Sequence, residues 1–235
     1  MSVEKNMIIS VLKLTRNGPV LAERVKTDAK IPLAVAIELL ERLQSEDMIY
    51  LKRGVVEADS GSRLKLAVRA LSLGADVERV AELIRWQEFE NVAAMALSSN
   101  GYVVSENVRF KRGGRRWEID VVGCKKPTVI CIDCKHWHHS LSPSALAKIV
   151  DAQAERTKAL AESLPNVSIK LGCAEWNRAK FVPAILALLP SNVKFYETVP
   201  IVPVLQLQDF LSQLPAHVGS LRHFNREFDH LCHDS

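Results

Sequence analysis

Long apolar runs are missing from this 235-residue chain. No stretch approaches the ~18 to 20 consecutive apolar residues that a membrane span requires. The opening MSVEKNMIISVLKL has an early acidic residue and an apolar run too short for a secretory signal. A disulfide framework is missing too, because the five cysteines are odd in number and lack scaffold spacing. A reducing cytoplasm is the simplest compartment for such a chain. Nor is there a large charge excess: the net charge of +4 does not by itself imply a nucleic-acid partner. There is no internal repeat and no low-complexity tract. What remains, 48% apolar and 25% charged, is the composition of a soluble globular protein long enough to bury a sizeable core.

Within that core-forming sequence one stretch is anomalous. WEIDVVGCKKPTVICIDCKHW, residues 117–137, reads as two β-rich runs joined by a turn, yet it carries Asp120 in the first run and Asp133 and Lys135 in the second. An ionised carboxylate inside a sheet is costly unless cations or hydrogen bonds compensate it. Side chains alternate along a strand, so Asp133 and Lys135 share a face. A two-residue turn on Lys125 and Lys126 would pair Asp120 with Cys131. Asp120 and Asp133 would then be diagonal neighbours on one face, ~7 Å apart, a separation at which two carboxylates can hold one divalent ion. A slip of one residue would put them on opposite faces.

The flanks suggest a small unit followed by a larger α/β one. Apolar spacing predicts helices over 7–14, 19–26 and 32–44, then a hairpin around Arg53-Gly54. Three helices and a hairpin resemble a winged helix-turn-helix domain, here residues 1–59. Its third helix carries Glu38, Glu41 and Glu46 against a lone Arg42. DNA contact and a packing or dimerisation role therefore both stay open. Ser60-Gly61-Ser62 reads as a linker and cap, and 63–73 as a connecting helix, within a 60–75 connection, basic through Arg63, Lys65 and Arg69. The 76–99 stretch is helical and apolar on most sides. It holds both Glu88 and Glu90, and periodicity does not choose between them.

A strand is expected over 102–110, followed by KRGGRRW, where Lys111, Arg112, Arg115 and Arg116 surround two glycines. A basic loop beside an acidic site suits a polyanionic substrate, whose phosphates the carboxylates would otherwise repel. A solvated turn that keeps the sheet edge soluble is the competing reading. Helix 144–163 has Gln153 on its apolar line, either a satisfied boundary amide or a site residue. Beyond it come an expected strand (167–173), helix (178–188), strands (193–196 and 199–205) and helix (206–214). Leu221, Phe224, Phe228 and Leu231 sit at the spacing of a last helix. Residues 76–215 thus form the main domain and 216–235 a C-terminal helix and tail.

Cys131-x-x-Cys134 is no metal or redox motif, because strand positions three apart face opposite ways and no second pair follows. His136, His138 and His139 read as an exposed strand end. His230, Cys232 and His233 read as a frayed tail.

The order helix, three strands, helix, strand, with Phe89-Glu90, Gly101-Tyr102, Glu118-Ile119-Asp120, Asp133-Cys134-Lys135-His136-Trp137 and Gln153 in sequence, resembles the PD-(D/E)XK nuclease superfamily. Within it the chain looks most like Mrr-like restriction endonucleases and archaeal-type Holliday junction resolvases. The resemblance implies a restriction-endonuclease-like α/β core, Mg²⁺ (with Mn²⁺ as a substitute) on Asp120 and Asp133, and help from Glu90. It further implies that Lys135 acts on the attacking water and Gln153 orients groups near the scissile phosphate. It also implies a DNA substrate and, as with many such nucleases, a homodimer. Ile119 stands where the motif's name has proline, and Asp133 where glutamate is usual. A nuclease-fold protein that binds DNA without cutting it is the alternative.

Overall fold

The computed structural model describes residues 3–135, 142–165, 169–188 and 193–228, which fall into two compact units, 3–89 and 90–228. Among the described residues no helix is long and apolar enough to cross a membrane.

The first unit is built on α1 (Val3–Leu14), in which six consecutive residues from Met7 to Leu12 are buried. After a short 3-10 turn come β1 (Val20–Leu21), α2 (Ala22–Ala29), α3 (Leu33–Ser45), β2 (Tyr50–Lys52) and β3 (Val55–Glu57). The strands form one antiparallel sheet in the order β1-β3-β2. The helix expected from residue 19 starts only at Ala22, because Val20 and Leu21 pair with Val56 and Val55. Arg53 and Gly54 turn the hairpin with positive φ at both positions, as a two-residue turn matched to strand twist requires.

The next helix, α4 (Ser60–Ser72), is capped by Asp59, whose side chain accepts from the Ser62 amide at 2.8 Å. The Ser-Gly-Ser stretch therefore lies inside the helix rather than forming a linker. Its basic face is not exposed as one surface either. Arg63 is 3% exposed and donates to the Leu12 carbonyl (2.7 Å), the Thr15 hydroxyl (2.8 Å), the Leu83 carbonyl (2.6 Å) and Glu88. Lys65 bonds Asp47, and Arg69 bonds Glu4. Arg42 pairs with Glu4 as well, at 2.6 Å.

The single helix expected over 76–99 is two helices, α5 (Val77–Leu83) and α6 (Trp86–Ser99). Ile84 between them is extended, and Glu88 reaches back to accept from the Arg85 amide at 2.7 Å. That backward bond from the third helical position is half of a capping box, and it starts a new helix there.

In the second unit α6 leads into an antiparallel meander of β4 (Val103–Arg112), β5 (Arg115–Lys125) and β6 (Thr128–Lys135). Then α7 (Pro143–Ser163) crosses to β7 (Arg178–Ala187), which runs parallel to β6. The helix, three strands, helix, strand order expected from sequence is therefore present. The chain continues through β8 (Phe195–Tyr196), β9 (Val199–Pro203), α8 (Leu207–His217) and β10 (Phe224–Glu227). The sheet order is β4-β5-β6-β7-β9-β8, with β10 beside β7. On one face Leu160 of α7 and Leu164 just beyond its end pack onto a core with Ile119, Val122, Cys131 and Phe181. On the other, Leu97 of α6 lies against Gly123.

Three expectations in this unit are corrected. The helix expected over 178–188 is instead the strand Arg178–Ala187. A strand buried on both faces is apolar at nearly every position and shows no period. Of the strand expected over 167–173, residues 167–168 lie outside the described residues, and 169–173 alternate, with Ile169, Leu171 and Cys173 buried, but are paired in no ladder among the described residues and form no strand. The C-terminal helix is instead β10, antiparallel to β7 from Phe224↔Phe181 to Glu227↔Arg178. Phe224 and Phe228 still reach the core. Leu231 lies outside the described residues.

Candidate active site

The β5–β6 hairpin sets the site. Its register runs from Lys125↔Thr128 to Val121↔Ile132, so Lys126 and Pro127 form the turn rather than Lys125 and Lys126. The difference is two residues, which keeps the parity of the pairing, and the ladder ends at Val121↔Ile132, one step short of Asp120 and Asp133. Asp120 is fixed further by accepting a 2.7 Å hydrogen bond from the Cys134 amide. Strict alternation fails at this point of β5. Ile119 and Val122, three apart, enter one apolar cluster, and Asn107 on the neighbouring β4 has a φ of 52°. That left-handed conformation is one Asn tolerates better than most residues.

Asp133 is 3% exposed. Lys135 Nζ lies 2.9 Å from its Oδ2 and 3.1 Å from its Oδ1, and Arg156 Nη1 donates to Oδ1 at 2.8 Å. Oδ2 is close to the lysine but makes no well-aligned hydrogen bond. Burial pushes the Asp120 carboxyl up to about 6, opposed by the Cys134 amide, reinforced by the charges of Asp133 and Glu90 and eased by Lys135. The Cys134 thiol is pushed up by burial and by the same three carboxylates. Glu90, 6% exposed, is thus the glutamate of α6 that faces the site, whereas Glu88 pairs with Arg63 in the first unit.

On α7, capped by Ser142 with Pro143 in the first turn, Gln153 is fully buried. Its Nε2 donates to the Cys131 carbonyl at 2.9 Å, and its Oε1 lies 3.5 Å from Arg156 Nη1. The amide is therefore satisfied within the protein, holding α7 to β6. Arg156 was not among the residues expected from sequence. Its spacing of three from Gln153 puts both on one helical face, the one signal that pointed to it.

The basic loop stands apart from this cluster. Gly113 and Gly114 form the β4–β5 turn with positive φ, and Arg115 is five residues from Asp120, ~17 Å along the strand. Arg112 bonds the Glu162 carbonyl (2.6 Å) and carboxylate (2.7 Å). Arg115 stacks 3.9 Å over Trp117 and lies 3.7 Å from Glu155. Lys111 and Arg116 face each other across the hairpin, exposed. Cys131 joins the α7-side core and Cys134 does not, so they do not act as a pair. His136, Trp137, His138, His139, His230, Cys232 and His233 lie outside the described residues.

Among the described residues no three His, Cys, Asp or Glu side chains close into a metal cage. Mg²⁺ does not require one, because it commonly binds through one or two carboxylates and keeps its waters. A buried carboxylate oxygen without an aligned hydrogen bond beside a second carboxylate, with three acids against two cations nearby, is a donor set that fits such an ion.

Residues 81–161 match the family model Mrr_cat, described as restriction endonuclease. An uncharacterized protein of Archaeoglobus fulgidus is 25% identical over 131 residues, which are 56% of this chain and 92% of that protein. A crystal structure of a Vibrio cholerae protein aligns with 91% of this chain at 13% identity. The chain spans about half (51%) of its length, and the TM-score of 0.36 carries no argument. The matched segment contains Glu90, Asp120, Asp133, Lys135 and Gln153, so the hairpin and its two helices lie in the part of the chain that is similar to restriction endonucleases of the Mrr type.

Proposed function

We propose that the protein is a Mg²⁺-dependent endodeoxyribonuclease that hydrolyses phosphodiester bonds, with Mn²⁺ able to substitute. The observation that supports this most is the buried Asp133 carboxylate, whose Oδ2 makes no aligned hydrogen bond and has Lys135 Nζ 2.9 Å away, beside an Asp120 carboxyl raised to about 6. Asp120 and Asp133 would hold the ion, with Glu90 assisting. Bound there, Mg²⁺ would supply positive charge to the phosphate and acidify water for attack. Lys135, 26% exposed, keeps its ammonium at the rim of the site. It would hold the attacking water by hydrogen bond, or, as the neutral amine, take its proton. Gln153 acts from behind by fixing α7 and Arg156.

DNA would be met by Lys111 and Arg116, joined by Arg112 and Arg115 if they exchange their exposed carboxylate partners for phosphate. Residues 1–59 are proposed as a winged helix, in keeping with their order of helix, strand, two helices and hairpin. The exposed acidic residues of α3 favour a packing or dimerisation role for it. A homodimer would supply the two sites that cutting both strands needs.

A second reading, a nuclease-fold protein that binds DNA without cutting, is favoured by one observation. Asp133 is already neutralised by Lys135 and Arg156 without any ion. One experiment decides. Purified protein, Asp133→Ala and Lys135→Ala are incubated with plasmid, branched and methylated DNA in Mg²⁺, Mn²⁺ or EDTA. Cleavage by the wild type that needs metal and falls at least ~100-fold in both variants is expected. No cleavage of any substrate, or equal cleavage by the variants, removes the enzyme.

A further inference from the structure

The geometry points to Arg156 as a phosphate-binding residue of this site, an inference that rests on the nuclease reading above for its substrate. Three observations carry it. First, Arg156 meets Asp133 end-on through Nη1 alone, at 2.8 Å. A guanidinium whose task is to neutralise a carboxylate normally does so as a fork, with two parallel bonds. Here the fork is turned: Nη1 also lies 3.5 Å from Gln153 Oε1, while Nε and Nη2 make no hydrogen bond among the described residues.

Second, Arg156 engages one carboxylate oxygen and leaves the other to Lys135. Asp133 Oδ2 is left without an aligned hydrogen bond, although it is buried and Arg156 is within reach of its sister oxygen. The donors in reserve are therefore on the arginine, because Lys135 Nζ already lies 2.9 Å from Oδ2. Third, exposure is divided in the same sense. Asp133's side chain is 5% exposed, whereas those of Arg156 and Lys135 are 28% and 26% exposed. The two cations form a rim above a buried acid, and a phosphate arriving from solvent would meet them first.

Arginine suits that place. It stays charged at any working pH and presents several donors in a plane that matches two phosphate oxygens. Gln153 and Asp133 hold one end of the fork, so the free end is pre-oriented and loses little entropy on binding. Arg156 would take the non-bridging oxygens of the scissile or adjacent phosphodiester and leave Asp133 Oδ2 for the ion. The role is distinct from that of the β4–β5 loop, because it is made at the reacting centre.

The test is DNA binding by the full chain in EDTA, with a labelled linear duplex and a series of salt concentrations, beside cleavage in Mg²⁺. Arg156→Gln keeps a donor for Asp133 but removes the charge. Its Kd should rise about tenfold, and its log Kd against log salt should flatten by about one phosphate contact. Arg156→Lys should restore the slope while recovering only part of the affinity, since a point charge replaces a fork. An unchanged Kd and slope in Arg156→Gln, whatever happens to cleavage, would show that Arg156 merely clamps Asp133 and would overturn the proposal. If Arg156→Gln fails to fold, Arg156→Lys decides: affinity equal to wild type overturns it. A wild type that binds no DNA also overturns it. A wild type that binds but cuts nothing removes the nuclease reading alone, and the binding data still settle Arg156.

Discussion

Asp120 accepts the Cys134 amide at 2.7 Å, so the acid of β5 is tied to the strand that carries Asp133 and Lys135. The bond needs an acceptor but no charge. Asp120→Asn should therefore keep the geometry and remove only the buried ionisation. A carboxyl at about 6 in the fold, against 3.8 when exposed, binds its proton more tightly folded than unfolded. Its ionisation therefore weighs on the fold fully above pH 6, and that burden fades as the pH falls towards 3.8. In EDTA at pH 8 the variant should be more stable than wild type by about 1–2 kcal/mol, allowing for partial solvent screening. In urea unfolding the gain should largely vanish by about pH 4. Cleavage should be lost, and added Mg²⁺ should raise the Tm of the wild type but not of the variant. A variant less stable than wild type at pH 8 would contradict the burial argument.

Glu88 and Glu90, two residues apart, should fail in opposite ways. Glu88 answers a buried arginine, and Glu88→Ala leaves Arg63 with an unpaired charge inside the first unit. Breaking such a pair costs about 3–5 kcal/mol, so Tm should fall sharply while the folded fraction still cuts. Glu90→Gln removes one of three crowded acids. It should leave Tm unchanged or higher and lower cleavage at least ~10-fold. Differential scanning fluorimetry with a cleavage assay on the same preparations separates the two, and parallel losses would refute the assignment.

That contrast marks where the sequence is legible. The core order could be read because α7 buries one face and shows its period, and because β5 and β6 are β-rich runs bounded by a Lys-Lys-Pro turn, although β6 is buried on both faces. Asp120, Asp133 and Lys135 stood out because charge inside an apolar strand has few explanations. The register was displaced by two, since burial fixes only the parity of a strand and either Lys-Lys or Lys-Pro can close the turn. β7 carries no strand signature, because Phe181 to Ala187 is buried on both faces and leaves no polar residue to mark a period. Glu88 could not be separated from Glu90, nor Arg156 noticed, because what decides each is a partner far away in the chain. Arg63 lies 25 residues from Glu88, and Asp133 lies 23 residues from Arg156.

Gln153 offers a test of support from behind the site. Gln153→Leu fills the same space but strips the Cys131 carbonyl of its donor and Arg156 of its Oε1 contact. An unsatisfied buried carbonyl costs about 1–3 kcal/mol, which a shift in the urea midpoint at constant slope would report. Because the amide faces the protein and not the solvent, cleavage should fall mainly in kcat, with KM for DNA little changed. A rise in KM alone would mean that Gln153 meets the substrate directly.

Gly123 connects the sheet to the helix that carries Glu90. A Cβ built there would lie 2.7 and 3.1 Å from the two Cδ atoms of Leu97 and 3.2 Å from Ile130. Leu97 is a flexible side chain, but it is fully buried and has little room to move. Gly123→Ala should therefore cost about 1–3 kcal/mol through overpacking. The strain also has a direction. Leu97 is seven residues, two helical turns, beyond Glu90, so a helix pushed off β5 at Leu97 carries Glu90 away from Asp120. Cleavage should fall more than the loss of folded protein accounts for. Leu97→Ala alone should be destabilising by leaving a cavity, yet combined with Gly123→Ala it gives the new methyl a place to sit. The double variant should be more stable than the sum of the single effects predicts, by at least ~0.5 kcal/mol, with cleavage partly restored. Strict additivity would mean that the sheet and α6 do not communicate through this contact.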